Sequence, residues 1–242
     1  MKEWRLIEAL YNQRSIREYS DELVRDEDIQ FLLDTAVKAP SGGDRQPWAF
    51  LVIRDPAARR KMRDFYVAGF QIYCGSVLQL AEREGHPDVV RQAERMESKG
   101  SDIDTFQRNF EQAPLMIMIL ADERNTLAVH EDAPVLAMNS LYGSIYFAVQ
   151  NILLACMSRD LGAVPTTLYA RCENEVKAYL EIPDYYRTCM LIAIGHLKKG
   201  DAKARPGVRG VRYGPNRRHP AHLKTHWERF GEQKEWEPKT KA

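Results

Sequence analysis

Neither sign of charge dominates this chain. Its 35 Lys and Arg face 34 Asp and Glu, a formal net charge of +1, too small for any global attraction to nucleic acid or acidic membranes. Cysteine is scarce. Cys74, Cys156, Cys172 and Cys189 form no close pair, so a disulfide framework is excluded and reduced core thiols in a cytoplasmic protein are expected. The opening Met1-Lys2-Glu3-Trp4 has no apolar signal segment. Motifs of protein-borne catalysis are missing as well: no G-x-S-x-G, no G-x-x-x-x-G-K-[ST] and no G-x-G-x-x-G. Asp122, Glu123, Glu131 and Asp132 share a loop, but nothing marks two of them as an acid and a base. There is no internal repeat and no compositional break. The expectation is one domain over residues 1–242, with an inserted helical or lid segment at 84–104 and a basic C-terminal extension at 198–242.

One stretch lacks charge altogether. Residues 133–158 contain no Lys, Arg, Asp, Glu or His, a length sufficient to cross a bilayer. Asn139, Ser140, Ser144, Gln150 and Asn151 spread polar groups along it, which favours a helix buried in a protein core over a membrane span.

Around it the pattern alternates between helices and strands. Trp4, Ile7, Leu10 and Tyr11 repeat at helical spacing and predict an amphipathic helix ending near Asn12. Asp26 is expected to cap a second helix, with Ile29, Leu32, Leu33, Ala36 and Val37 as its apolar set and Pro40 as its stop. A strand follows over 48–53. Asp55-Pro56 then starts a helix reaching towards Arg83. The apolar run 114–120 predicts a buried strand, and Pro134 opens the uncharged helix, with Gly162 as its expected C-cap. Residues 163–168 read as extended, 174–180 as a short helix and 189–195 as a strand. Few strands separated by helices indicate an α+β fold.

Two stretches carry candidate chemistry. Ala39-Pro40-Ser41-Gly42-Gly43-Asp44-Arg45-Gln46-Pro47-Trp48 has prolines that exclude helix, glycines that allow close backbone approach, and hydrogen-bonding side chains at its centre. Arg14-Ser15-Ile16-Arg17 sets two guanidinium forks about a hydroxyl, a combination suited to phosphate oxygens. Taken alone, the first reads equally as a surface loop and the second as a solvated helix end.

The tail from Lys198 to Arg229 holds ten basic residues. Pro206, Gly207, Gly210, Gly214, Pro215 and Pro220 break it, and no nucleic-acid motif appears in it. A small phosphate is therefore the better use of its arginines. His219, His222 and His226 read as surface residues rather than metal ligands, with His222 and His226 on one helix face. A phosphate clamp without a catalytic side chain points to chemistry supplied by a cofactor.

Together, Arg14 to Tyr19, Ala39 to Trp48, Tyr146 to Thr167 and Arg218 to Phe230 resemble the flavin signatures of the nitroreductase family. The resemblance implies a nitroreductase-like α+β fold: a central, mostly antiparallel sheet flanked by helices, with the C-terminal extension embracing a partner subunit. It implies a homodimer that binds FMN tightly at two interface sites. Arg14, Ser15, Arg17 and Arg218 would hold the phosphate, with Arg217 assisting. Pro40, Ser41, Gly42 and Asp44 would come from the other subunit, and Pro165, Thr166 and Thr167 would lie beside the flavin ring near N5 and O4. NADH or NADPH would reduce the flavin, and a nitroaromatic, quinone or similar small acceptor would then take the electrons in a ping-pong cycle, with no protein catalytic residue, no metal, no nucleic acid and no membrane.

Asp44 stands where the family usually has Asn. A carboxylate there would oppose the charge of reduced flavin or recognise a basic or hydroxylated substrate, and Arg45 is positioned to neutralise it. Phe65, Tyr66, Phe70 and Tyr73, at the start of a wider insertion from Phe65 to Phe110, read either as core or as substrate-selecting residues. The alternatives are reductive dehalogenation or flavin breakdown on the same fold, a flavin-binding protein without turnover, and a nucleic-acid module built on the tail.

Overall fold

The computed structural model describes residues 4–87, 89–91, 94, 106–107, 109–125, 134–198, 213–215 and 218–232. Four antiparallel strands form one sheet: β1 (Trp48–Ile53), β2 (Leu115–Asp122), β3 (Leu161–Thr166) and β4 (Tyr186–His196), in the order β1-β2-β4-β3. β2 and β4 are central, which explains their continuous apolar runs: every residue of β2 is buried. Alternate side chains enter opposite layers. Leu115, Ile117, Ile119 and Ala121 face one core with Ile192 and Ile194. Met116, Met118 and Leu120 face the other with Leu191 and Ala193. One irregularity, between Ile119 and Leu120, shifts the β2–β4 register.

The first core is closed by α2 (Asp26–Ala36) and α4 (Pro134–Ser158), through Ile29, Leu32, Leu141, Ile145, Val149 and Ile152. Length and composition alone would let α4 cross a membrane, but just over half of it is buried inside the protein. The second core is closed by α3 (Pro56–Glu84), through Met62, Phe65 and Tyr66. α3 starts as its sequence predicts, Asp55 accepting from the Ala58 N–H at 2.7 Å with Pro56 in the first turn. Phe65, Tyr66 and Phe70 are core residues and Tyr73 is exposed. α5 (Glu173–Leu180) follows a short turn over Leu168–Cys172.

Three expectations change. Asp26 is the first residue of α2 rather than its cap; Arg25 takes the cap position without a side-chain bond, and the acidic Asp26, Glu27 and Asp28 complement the helix dipole instead. Gly162 does not cap α4. The chain turns at Asp160, at φ 54°, and Gly162 already lies buried in β3. The helix α1 (Leu6–Asn12) forms where its spacing predicts, but of its residues only Ala9 is buried, while Leu6 and Tyr11 are each 66% exposed.

The insertion 84–104 lies largely outside the described residues. In the extension, Ala221–Lys224 is a single 3-10 turn, so His222 and His226 do not share a helix face; His226 Nδ1 instead accepts from the Gly231 N–H at 3.1 Å.

Candidate functional site

The residues singled out by the sequence gather in two places. The first is the β3 edge. Residues 13–20 follow α1 as a strap across β3 and the end of β4: the Ile16 N–H donates to Ala163 O of β3 at 2.9 Å, the Ser20 N–H donates to the carbonyl of His196, the last residue of β4, at 3.0 Å, and Tyr19 bridges to Leu197 just beyond it. Ile16 is fully buried. Its side chain fills the space above Gly162, where an added Cβ would lie 2.5 Å from Ile16 Cγ2. This anchoring places Arg14, Ser15 and Arg17, all half-buried, beside the strand that ends at Pro165 and Thr166.

Arg17 lies 5.8 Å from the Phe106 ring centroid, within cation–π range. Phe106 packs in turn on Tyr66 and Phe110. Burial pushes the Tyr66 hydroxyl up to about 12, with the Arg17 charge opposing the rise. Among the described residues neither Arg14 nor Arg17 forms an ion pair with a carboxylate.

Beyond β3, the Thr166 hydroxyl oxygen accepts from the Leu168 N–H at 3.3 Å, which leaves its proton to donate elsewhere; Thr167 is exposed. The tail reaches the same edge. The Tyr213 hydroxyl donates to Leu161 O at 2.6 Å, and the Gly214 N–H donates to Asn12 O at 3.0 Å. Arg218 follows four residues later and is exposed; that span extends at most about 14 Å. Arg217 lies outside the described residues.

The second place is the loop before β1. The Gly42 N–H donates to Ser144 Oγ at 3.1 Å, and a Cβ on Gly42 would run into the Ser140 hydroxyl. Of the polar residues along the uncharged helix, Ser144 thus fastens this loop by a hydrogen bond and Ser140 packs against it. The Gln46 N–H donates to Ser41 Oγ at 3.1 Å, and Gln46 Nε2 donates to Asp44 Oδ1 at 3.0 Å. The partner of Asp44 is therefore the Gln46 amide rather than Arg45. Asp44 and Gln46 both have positive φ, 51° and 48°, a conformation unusual for such residues and typical of positions where binding geometry is held.

The structure does not unite the two places. β1 and β3 are the outer strands of the sheet, about 14 Å apart across three strand spacings. Ile16 and Tyr19 belong to the α3 side of the sheet, whereas Gly42 rests on α4.

No disulfide joins Cys74, Cys156, Cys172 and Cys189, and Cys156 and Cys189 are pushed up by burial, Cys189 to about 12.

Sequence reasoning passed over Tyr19, Phe106, Tyr213, Ser140 and Ser144. The signal for the two serines was their i, i+4 spacing on an otherwise apolar helix. For Phe106 and Tyr213 no local signal existed.

Comparison with known proteins identifies the family. Residues 10–196 match the family model described as the Nitroreductase family. Human iodotyrosine deiodinase 1 is 27% identical over 192 residues, 79% of this chain and 61% of its own length; this chain thus spans under two thirds of that relative. The FMN reductase (NADPH) of Bacillus subtilis is 26% identical over 195 residues, 78% of this chain and 65% of its own length. The solved structure of the NADPH:FMN oxidoreductase from Vibrio harveyi, complexed with NAD+, covers 94% of this chain and 79% of its own, with a TM-score of 0.64 at 17% identity. With this fold, and with the family model matched across three quarters of its length, the chain belongs to the nitroreductase family.

Proposed function

We propose that this protein is an FMN-dependent oxidoreductase that passes electrons from NADH or NADPH to an electron-poor small molecule, such as a nitroaromatic or a quinone, in a ping-pong cycle, and that it works as a homodimer. The observation that carries the reading is the strap: two half-buried guanidinium groups without a carboxylate partner among the described residues. A partly buried charge without a counter-charge is costly, so the strap suits an incoming anion, and planar forks match phosphate oxygens. The residues present therefore fit FMN.

In this reading Arg14, Ser15, Arg17 and Arg218 hold the phosphate. Thr166 and Thr167, after Pro165, offer hydroxyl donors beside the ring. Pro40, Ser41, Gly42 and Asp44 close the site from a second copy, because one sheet keeps them on its far edge. Bound FMN supplies the two-electron chemistry; the chain fixes its position and donates hydrogen bonds where negative charge develops. The exposed Leu6, Ile7, Leu10 and Tyr11 of α1 and Leu136, Tyr146 and Phe147 of α4 support a partner subunit. Buried thiols outside any disulfide support a reducing, cytoplasmic setting.

The purified protein is expected to be yellow and dimeric, and to oxidise NADH or NADPH with a nitroaromatic or quinone acceptor without losing flavin. A colourless monomer that ignores added FMN overturns the reading. The likeness to iodotyrosine deiodinase favours one alternative, reductive dehalogenation on the same flavin. Release of iodide from an iodinated phenol, with no nitroaromatic turnover, would decide for it.

A further inference from the structure

Tyr19 is almost wholly buried, and a buried hydroxyl needs a hydrogen-bond partner. It has two: Ile16 O at 2.7 Å and Ala193 O at 3.0 Å. The first acceptor belongs to the strap and lies outside any strand; the second belongs to the central strand β4. One hydroxyl proton is thus shared between the loop that carries Arg14 and Arg17 and the rigid middle of the sheet. The ring is fixed as firmly as the hydroxyl. A Cβ on Gly195 would lie 2.8 Å from Tyr19 Cβ, so only glycine there lets the ring lie flat on β4. On the other side, Gly162 does the same for Ile16. The Arg17 charge acts on the Tyr19 hydroxyl as well, opposing the rise that burial imposes on it.

We propose that Tyr19 is a positioning residue for the anion clamp: by holding the Ile16 carbonyl to β4, it fixes the strap so that Arg14 and Arg17 meet one anion together. This rests on the reading of those arginines as the FMN phosphate clamp. A side chain needed only for packing would require the ring and not the hydroxyl. Without the hydroxyl, the Ile16 carbonyl is buried with one partner fewer, and the strap keeps the Ile16 N–H bond to Ala163 as its direct tie to β3.

The test compares FMN with riboflavin, which carries the same ring without the phosphate. Flavin-stripped full-length protein is titrated with each by fluorescence quenching, as wild type and as Tyr19→Phe. Wild type is expected to prefer FMN. Tyr19→Phe is expected to melt cooperatively, to lose FMN affinity by about tenfold and to keep its riboflavin affinity. Equal loss for both flavins, or no loss for either, overturns the proposal. Should wild type itself show no preference for FMN, the clamp reading fails first. If Tyr19→Phe does not fold, Gly162→Ala, which keeps the hydroxyl and displaces Ile16 from the other side, decides by the same ratio.

Discussion

Asp44 is a residue whose charge and conformation pull in different directions. Its backbone sits at φ 51° and its carboxylate holds the Gln46 amide, so Asn in its place would keep the shape and remove the charge. If the loop closes over flavin from a second copy, that charge opposes the reduced ring. Asp44→Asn is expected to raise the flavin midpoint potential by about 30 mV, the equivalent of a tenfold change for a two-electron couple. Spectroelectrochemical titration checks this, and an unchanged potential removes Asp44 from the electronics of the site. Asp122, at the end of β2, offers a second test. Arg124 donates to both of its oxygens, at 2.9 and 2.7 Å, and holds this buried carboxyl below the usual carboxylate range. A depressed folded value adds stability above the unfolded value and loses it as the pH falls through the folded one. The stability difference between wild type and Arg124→Gln, followed by urea unfolding, should therefore be level from neutral pH down to about pH 5 and should shrink below about pH 4.

The α4–β3 connection shows what a local pattern reveals about an element and what it hides. Pro134 and the uncharged run mark α4 correctly, and the strand after it is extended as read. The stop differs from expectation because glycine is the usual residue for a left-handed turn, yet Asp160 adopts that conformation here and Gly162 serves a contact 146 positions away in sequence, with Ile16. The two positions should respond in opposite ways. Gly162→Ala forces a methyl into Ile16 and is expected to cost about 1–3 kcal/mol. Asp160→Gly relieves a strained φ and is expected to be neutral or stabilising by up to about 1 kcal/mol. Chemical denaturation of both variants decides; the reverse order would mean that α4 ends on Gly162. Asp26 teaches the same lesson, since its type is right for a helix start but the first turn begins one residue sooner than a cap would allow.

For the whole molecule the unsolved face is the apolar one. Leu6 and Tyr11 are each 66% exposed and Phe147 is 55% exposed, a pattern that a free chain tolerates poorly and a second copy would cover. Tyr11→Lys with Leu6→Glu adds no charge to the core of a single chain. It is expected to leave the thermal melt cooperative, to shift the mass measured by light scattering from dimer to monomer, and to lower FMN affinity at the same time. A dimer that persists with these changes places its interface elsewhere.

What the residue order determined by itself is local or periodic. The two central strands, the capped start of α3 at Asp55-Pro56 and the long uncharged helix all follow from short-range rules of burial and backbone geometry. What only the tertiary structure decided is which of these meet. Strand order put Arg14 and Arg17 with Pro165 and Thr166 on one edge of the sheet and the Ser41–Asp44 loop on the other. The same packing gave Tyr19, Gly162, Ser140 and Ser144 roles that their neighbours in sequence do not signal. The reason is physical: a buried hydroxyl or carbonyl takes whichever partner the packing of distant segments brings within reach, and no local pattern encodes that partner.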